Sequence, residues 1–186
     1  MYLLGLYLGD GTISTHRRDV QKLRITLDVK YPGIVDECAD AMGSTMPGST
    51  VGRLRKPSNC WEVYSYSRSW PCLFPQHGPG PKHQRRLWLA DWQQVLAERW
   101  PESLIRGLIQ SDGCRFINTG RGGWRHPRYV FSNVSSDITS IFCTGCDCLG
   151  LRWTAAFPSD EMKAIAIYVS RKADVARMDG FVGPKA

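Results

Sequence analysis

The strongest constraint on the fold is a repeated pattern in which a short apolar run is closed by Asp-Gly. It reads Leu3-Leu4-Gly5-Leu6-Tyr7-Leu8-Gly9-Asp10-Gly11 and, 102 positions later, Ile105-Arg106-Gly107-Leu108-Ile109-Gln110-Ser111-Asp112-Gly113. Two further landmarks recur in the same order, each 103 positions apart: Ser67-Arg68 with Ser170-Arg171, and the Gly-Pro-Lys ending at Lys82 with the one ending at Lys185. A matching dipeptide alone carries no weight. Three landmarks in order, with one residue of drift, describe a duplicated unit of about 100 residues. The 186 residues hold two such units and no large further domain.

Within each unit the periodicity repeats. After the first Asp-Gly, strands are expected at 12–14 and 23–27, the latter strictly alternating as Leu23-Arg24-Ile25-Thr26-Leu27. Their counterparts are 114–118 and 129–133, around a longer tip from Thr119 to Arg128. Helices follow at 32–42, stopped by Gly43, and at 136–149, stopped by Gly150. Further strand pairs are expected at 50–54 and 61–67, then 152–156 and 164–170. Alignment on the Ser-Arg pairs sets Tyr64 and Tyr66 opposite Ile167 and Val169 on the inner face. Prolines exclude regular structure from 75 to 81, and Leu89, Trp92, Leu96 and Trp100 predict an amphipathic connecting helix over 85–100. The expected organisation is a first half over 1–83, a connecting helix within 84–100 and a second half over 101–186.

Either Asp-Gly taken singly is ordinary punctuation, a helix stop or a hairpin signal. Both copies together are not. An Asp in the last helical turn sits at the negative end of the macrodipole, at a cost of about 0.3–1 kcal/mol, so repeating it calls for a compensating cation. Gly5/Gly9 and Gly107/Ser111 are small-residue pairs at i, i+4, although Gly within a helix costs about 0.8–1 kcal/mol relative to Ala. Repeated small faces suit two helices touching backbone to backbone. Side by side on a pseudo-two-fold axis, such helices bring Asp10 and Asp112 to one place, where paired carboxylates bind a hard divalent cation such as Mg²⁺. A site built from two related halves fits a substrate of two antiparallel strands, duplex DNA.

The charge balance agrees. Lys and Arg number 24 against 17 Asp and Glu, a formal excess of +7 that favours polyanions through counterion release. No run approaches the ~20 apolar residues of a membrane span, and no basic leader precedes an apolar core. A soluble, cytoplasmic protein is expected, nucleoid-associated if prokaryotic. Seven irregularly spaced Cys imply reduced thiols. Cys143-x-x-Cys146 lacks a second ligand pair for zinc.

With these residues in place, the chain resembles the LAGLIDADG homing endonucleases in their single-chain, two-motif form. The resemblance implies an α+β fold of two pseudo-symmetric αββαββα units, with motif helices at the central interface and saddle-shaped antiparallel sheets on the major groove. It also implies Asp10 and Asp112 as metal ligands and Lys82 and Lys185 near the scissile phosphate. The implied activity is hydrolysis of a long, specific duplex site by a monomer using Mg²⁺, leaving short 3′ overhangs. Mn²⁺ is an expected substitute, and Ca²⁺ is expected to bind with little cleavage. Non-cleaving DNA-binding regulators and RNA-binding intron splicing factors are the alternatives within the same resemblance.

If Leu23, Ile25 and Leu27 face the helices, Arg24, Thr26 and Asp28 face the groove; Arg24 suits guanine and Asp28 cytosine. Arg53, Arg55 and Lys56 are expected between the second strand pair, and Arg121, Arg125, His126 and Arg128 in the long second-half tip, as phosphate or base contacts. Arg68 and Arg171 are cations at a repeated position. Met1 stands almost on the first motif helix whereas Pro101 and Ser103 give the second a proper start, so an upstream segment, a small DNA-binding module, is expected to be missing from this chain.

Overall fold

The computed structural model of the chain describes residues 1–120, 122–160 and 163–185. Its first half runs α1 (Tyr2–Asp10), β1 (Gly11–Thr15), β2 (Gln21–Asp28), α2 (Pro32–Thr45), β3 (Val51–Lys56), β4 (Cys60–Ser67) and α3 (Trp70–Leu73). A connecting helix, α4 (Asp91–Arg99), precedes the second half. That half is α5 (Pro101–Asp112), β5 (Gly113–Thr119), β6 (Arg125–Asn133), α6 (Ser136–Cys148), β7 (Trp153–Ala156), β8 (Ile165–Val169) and α7 (Lys172–Val182). The two halves repeat one αββαββα order. Each forms a four-stranded antiparallel sheet, β1-β2-β4-β3 and β5-β6-β8-β7.

The motif helices lie at the centre. Leu3 to Leu8 are all buried, so α1 has no solvent face, as expected of a helix apolar all round. A Cβ on Gly5 would stand 2.6 Å from the Leu104 carbonyl oxygen and 2.8 Å from the Gly107 Cα, and one on Gly107 2.3 Å from the Tyr2 carbonyl oxygen. Only glycine permits that crossing. Farther along, Arg106 pairs with Glu37 at 2.6 Å, and the Tyr2 hydroxyl lies within hydrogen-bond distance of Glu37 and of the Gln110 side chain. These polar contacts join the two halves beside the crossing.

Four expectations need correction. The registers set Val63 opposite Ile25 and Ile167 opposite Phe131, so Val63 and Ser65 are the counterparts of Ile167 and Val169. Tyr64 and Tyr66 therefore lie on the outer face, because a one-residue slip in alignment inverts every side chain of a strand. The connecting helix begins at Asp91 rather than Arg85: Leu87 and Leu89 are buried from an extended segment, a period of two. Its buried residue is Gln93, hydrogen-bonded to Gln76 and the Leu73 carbonyl, while Trp92 and Trp100 are exposed. Gly43 does not stop α2, which runs on to Thr45. Finally, Arg53, Arg55 and Lys56 lie on β3, and Arg125, His126 and Arg128 on β6, not in loops. Pro127 is tolerated in β6 because pairing to β8 begins only at Tyr129.

Candidate active site

The crossing angle set by the glycines brings the C-termini of α1 and α5 together. A Cβ on Gly9 would stand 2.8 Å from the Asp112 Oδ2, so the Asp112 carboxylate rests against the last turn of α1. Asp10 and Asp112 line one cleft of about 440 Å³ with Lys82, Arg85 and Asn133. A second cavity, about 360 Å³, is lined by Asp10, Asp28, Gln110, Ser111 and Lys185. Asp10 thus stands between two openings, each with one of the lysines, and Asp112 faces the first.

Burial and the neighbouring Asp112 push the Asp10 carboxyl up to about 6, against the pull of Lys82 and Lys185. Burial also raises Asp112, opposed first by a 2.7 Å hydrogen bond from Asn133 Nδ2 and then by the lysines. Two half-buried like charges with incomplete compensation are the electrostatic setting that a cation relieves. The oxygen-only donor set suits a hard ion such as Mg²⁺ that completes its shell with water and phosphate. Among the described residues no group of three or more His, Cys, Asp or Glu is placed to hold a metal.

Lys82 is the cation that the first helix end requires. Its Nζ donates to the α1 carbonyls of Leu8 at 2.9 Å and Gly9 at 3.2 Å, and to that of Tyr7. Burial pushes its ammonium down to about 8 although both aspartates pull it up. Lys185 Nζ donates to the carbonyl of Gly113, the C-cap residue of α5, whose own N–H donates to the Ile109 carbonyl. Burial lowers it too, with Cys114 and the aspartates opposing. Asn133 went unnoticed in the sequence because Asn at a strand end reads as a turn residue. Its amide is used at both ends, Oδ1 accepting from the Ser135 N–H at 2.7 Å. Its first-half counterpart by register is the buried Leu27, so Asp10 has no equivalent donor.

The structure divides the remaining predicted contacts. Arg24, Thr26, Asp28 and Lys56 share the outer face of the first sheet, and His126 and Arg128 that of the second. Arg53 and Arg55 stand opposite Val63 and Trp61 on the helix-facing side, and Arg53 pairs with Asp36 of α2. Arg125, opposite Thr119, is likewise off the outer face. Arg68 follows β4 and donates to the Arg18 carbonyl at 3.1 Å, while Arg171 is the exposed residue preceding α7. Arg121 lies outside the described residues.

No family model matches the sequence, and no curated protein is similar to it. Solved structures do match, over nearly the whole chain. The homing endonuclease I-DmoI in complex with DNA and Mn superposes with a TM-score of 0.64 at 14% identity, covering 98% of this chain and 95% of that one. This is the LAGLIDADG fold. The N-terminal LAGLIDADG domain of DUF199/WhiA follows at 0.58 and 12%, covering 98% and 81%, and the LAGLIDADG meganuclease I-AabMI bound to uncleaved DNA at 0.58 and 12%, covering 97% and 81%. Other I-DmoI structures contain DNA with Ca, or target DNA in the presence of Mg.

The raised Asp10 carboxyl has a measurable consequence. It holds its proton more tightly folded than unfolded, so its ionisation opposes folding. The metal-free protein is expected to lose stability, by on the order of 1–3 kcal/mol, as pH rises from the ordinary 3.8 through about 6. Thermal unfolding in chelator checks this; Asp10→Asn should flatten the slope, and a wild-type stability that rises over the same interval contradicts the assignment.

Proposed function

We propose that this protein is a site-specific, divalent-metal-dependent endonuclease acting on duplex DNA. The observation that carries the reading is the meeting of Asp10 and Asp112 at the joined helix ends, with a lysine on either side, between two antiparallel sheets. Asp10 and Asp112 would hold the ion; Mg²⁺ is the physiological choice, with Mn²⁺ able to replace it. Bound there, a divalent cation lowers the pKa of coordinated water and offsets charge on the departing oxygen.

The chain's own groups divide the remaining work. Asn133 fixes the orientation of the Asp112 carboxylate. Lys82 has three donors and three helix carbonyls as acceptors, so it acts as a fixed positive charge beside the phosphate rather than as a proton carrier. Lys185 has one described acceptor, the Gly113 carbonyl, leaving N–H groups to reach a phosphate oxygen. The outer faces of the two sheets bind the groove, Arg24, Thr26, Asp28, Lys56 and Arg128 among them. One chain supplies both halves, so a monomer suffices.

A DNA-binding regulator on the same fold is the competing reading, since the LAGLIDADG domain of WhiA has this fold too and fold does not fix chemistry. The retained carboxylate pair favours the enzyme, because a purely binding surface gains nothing from two half-buried acids facing phosphate. Incubation with a randomised duplex library and Mg²⁺, followed by sequencing of the cut ends, decides between them. Defined cut sites support the endonuclease; binding without cutting under Mg²⁺ or Mn²⁺ supports the regulator. With ~6 phosphates neutralised, log affinity should fall with log salt at a slope near −5, and a flat dependence would remove nucleic acid from consideration.

A further inference from the structure

The outer face of the first sheet carries a carboxylate where a surface built only to attract phosphates would carry none. Glu62 lies in the middle of β4 beside Thr26, on the side away from the helices, yet only 5% of it is exposed. Lys22 Nζ stands 2.6 Å from its Oε1 and Lys56 Nζ 3.2 Å from its Oε2, one lysine to each oxygen. Burial pulls the Glu62 carboxyl up, but these hydrogen bonds outweigh it and hold the group below its ordinary range. It is a carboxylate at neutral pH. Lys22 is folded onto the sheet, its ammonium 4.2 Å from the centre of the Tyr64 ring, instead of reaching outward.

We propose that Glu62 is a specificity-determining residue of the duplex-binding face, withholding Lys22 and Lys56 from phosphates until the correct base pairs lie over it. The inference rests on the duplex reading above. Stability alone is a poor reason for the cluster, since a buried ion pair is often no better than apolar residues of the same volume. Recognition is a better one. Pulling both lysines to phosphates strands a buried negative charge, so indiscriminate contact is penalised. In the major groove, cytosine N4 or adenine N6 offers Glu62 a donor while guanine O6 and N7 accept from the lysines. Such base pairs keep every member of the cluster partnered, and the wrong ones do not.

The test begins with duplex sites enriched by the wild-type protein from a randomised library. Binding to an enriched site and to random duplex is then measured across salt for wild type, Glu62→Gln and Glu62→Asp, with thermal unfolding as a control. Glu62→Gln frees both lysines. It is expected to bind random duplex on the order of tenfold tighter, to steepen the salt slope by about 1–2, and to lower the ratio of specific to random affinity about tenfold or more. Should the amide variant fail to fold, Glu62→Asp carries the test. Shortened by one methylene but still charged, it should lose selectivity at the same base pairs while keeping the wild-type slope. Unchanged selectivity in the variants that fold overturns the inference and leaves the duplex reading standing. Failure of the wild type to bind any duplex overturns both.

Discussion

Replacing either motif aspartate by asparagine is expected to abolish cleavage of both strands while leaving duplex binding and folding intact. The substitution keeps the size of the side chain and removes its charge. Because Asp10 lines both cavities and Asp112 rests against α1, neither half holds a complete site without the other. Each single variant should therefore lose roughly three orders of magnitude or more in rate, and the double variant little beyond that, since groups acting as a unit are not additive. Stability should rise, because each replacement removes one member of a half-buried like-charge pair at the negative end of a helix. Gel assays of nicked and linear product, run beside a binding titration, read both effects. Full-rate cutting by the double variant would place the chemistry elsewhere. Ca²⁺ is a complementary probe: its larger, looser oxygen shell should support binding and little hydrolysis.

The duplicated motif made the fold legible because it is a local signal repeated twice. The apolar run, the small-residue spacing and the Asp-Gly stop each act within one helical segment, and strand alternation at Leu23-Arg24-Ile25-Thr26-Leu27 assigned its buried face correctly. What a single chain hides is register between segments. The 103-residue spacing of the Ser-Arg pairs misplaces Tyr64 by one position, since sheet pairing follows the hairpin and not the landmark. Of the candidate site, the two acids were legible as an unfavourable choice repeated. Lys82's bond to three carbonyls was not, because it joins residues more than 70 positions apart. Asn133 and Glu62 were hidden for a related reason: each acquires its role from partners on another segment, Asp112 for the first and Lys22 for the second.

The largest effect on stability should come from adding a single methyl group at the helix crossing. At Gly107 the new Cβ of Gly107→Ala would lie 2.3 Å from the Tyr2 carbonyl oxygen and 3.0 Å from the Gly5 Cα, and backbone atoms cannot rotate away as a side chain can. The helices must separate, loosening the packing of Leu6, Leu104 and Leu108 around them. A loss of about 3 kcal/mol or more is expected, seen as a fall in Tm of roughly 6–12 °C for a chain of this size. Gly180 in α7 is the control, because a Cβ there meets none of the described residues within 4 Å. Gly180→Ala should stabilise by about 0.5–1 kcal/mol, as alanine does in an open helix position. Gly9 couples stability to chemistry: its Cβ would lie 2.5 Å from the Ser111 Cβ, which rotation of the side chain does not move, and 2.8 Å from the Asp112 Oδ2, which cannot turn aside without leaving Asn133. Gly9→Ala is thus expected to cost stability as Gly107→Ala does, and to cost activity beyond that loss because it displaces the Asp112 carboxylate. Combining Gly5→Ala with Gly107→Ala should cost less than the sum of the two, because the helices need to part only once. Full additivity, or an unchanged Tm in Gly107→Ala, would mean that the two backbones do not touch where the glycines cross.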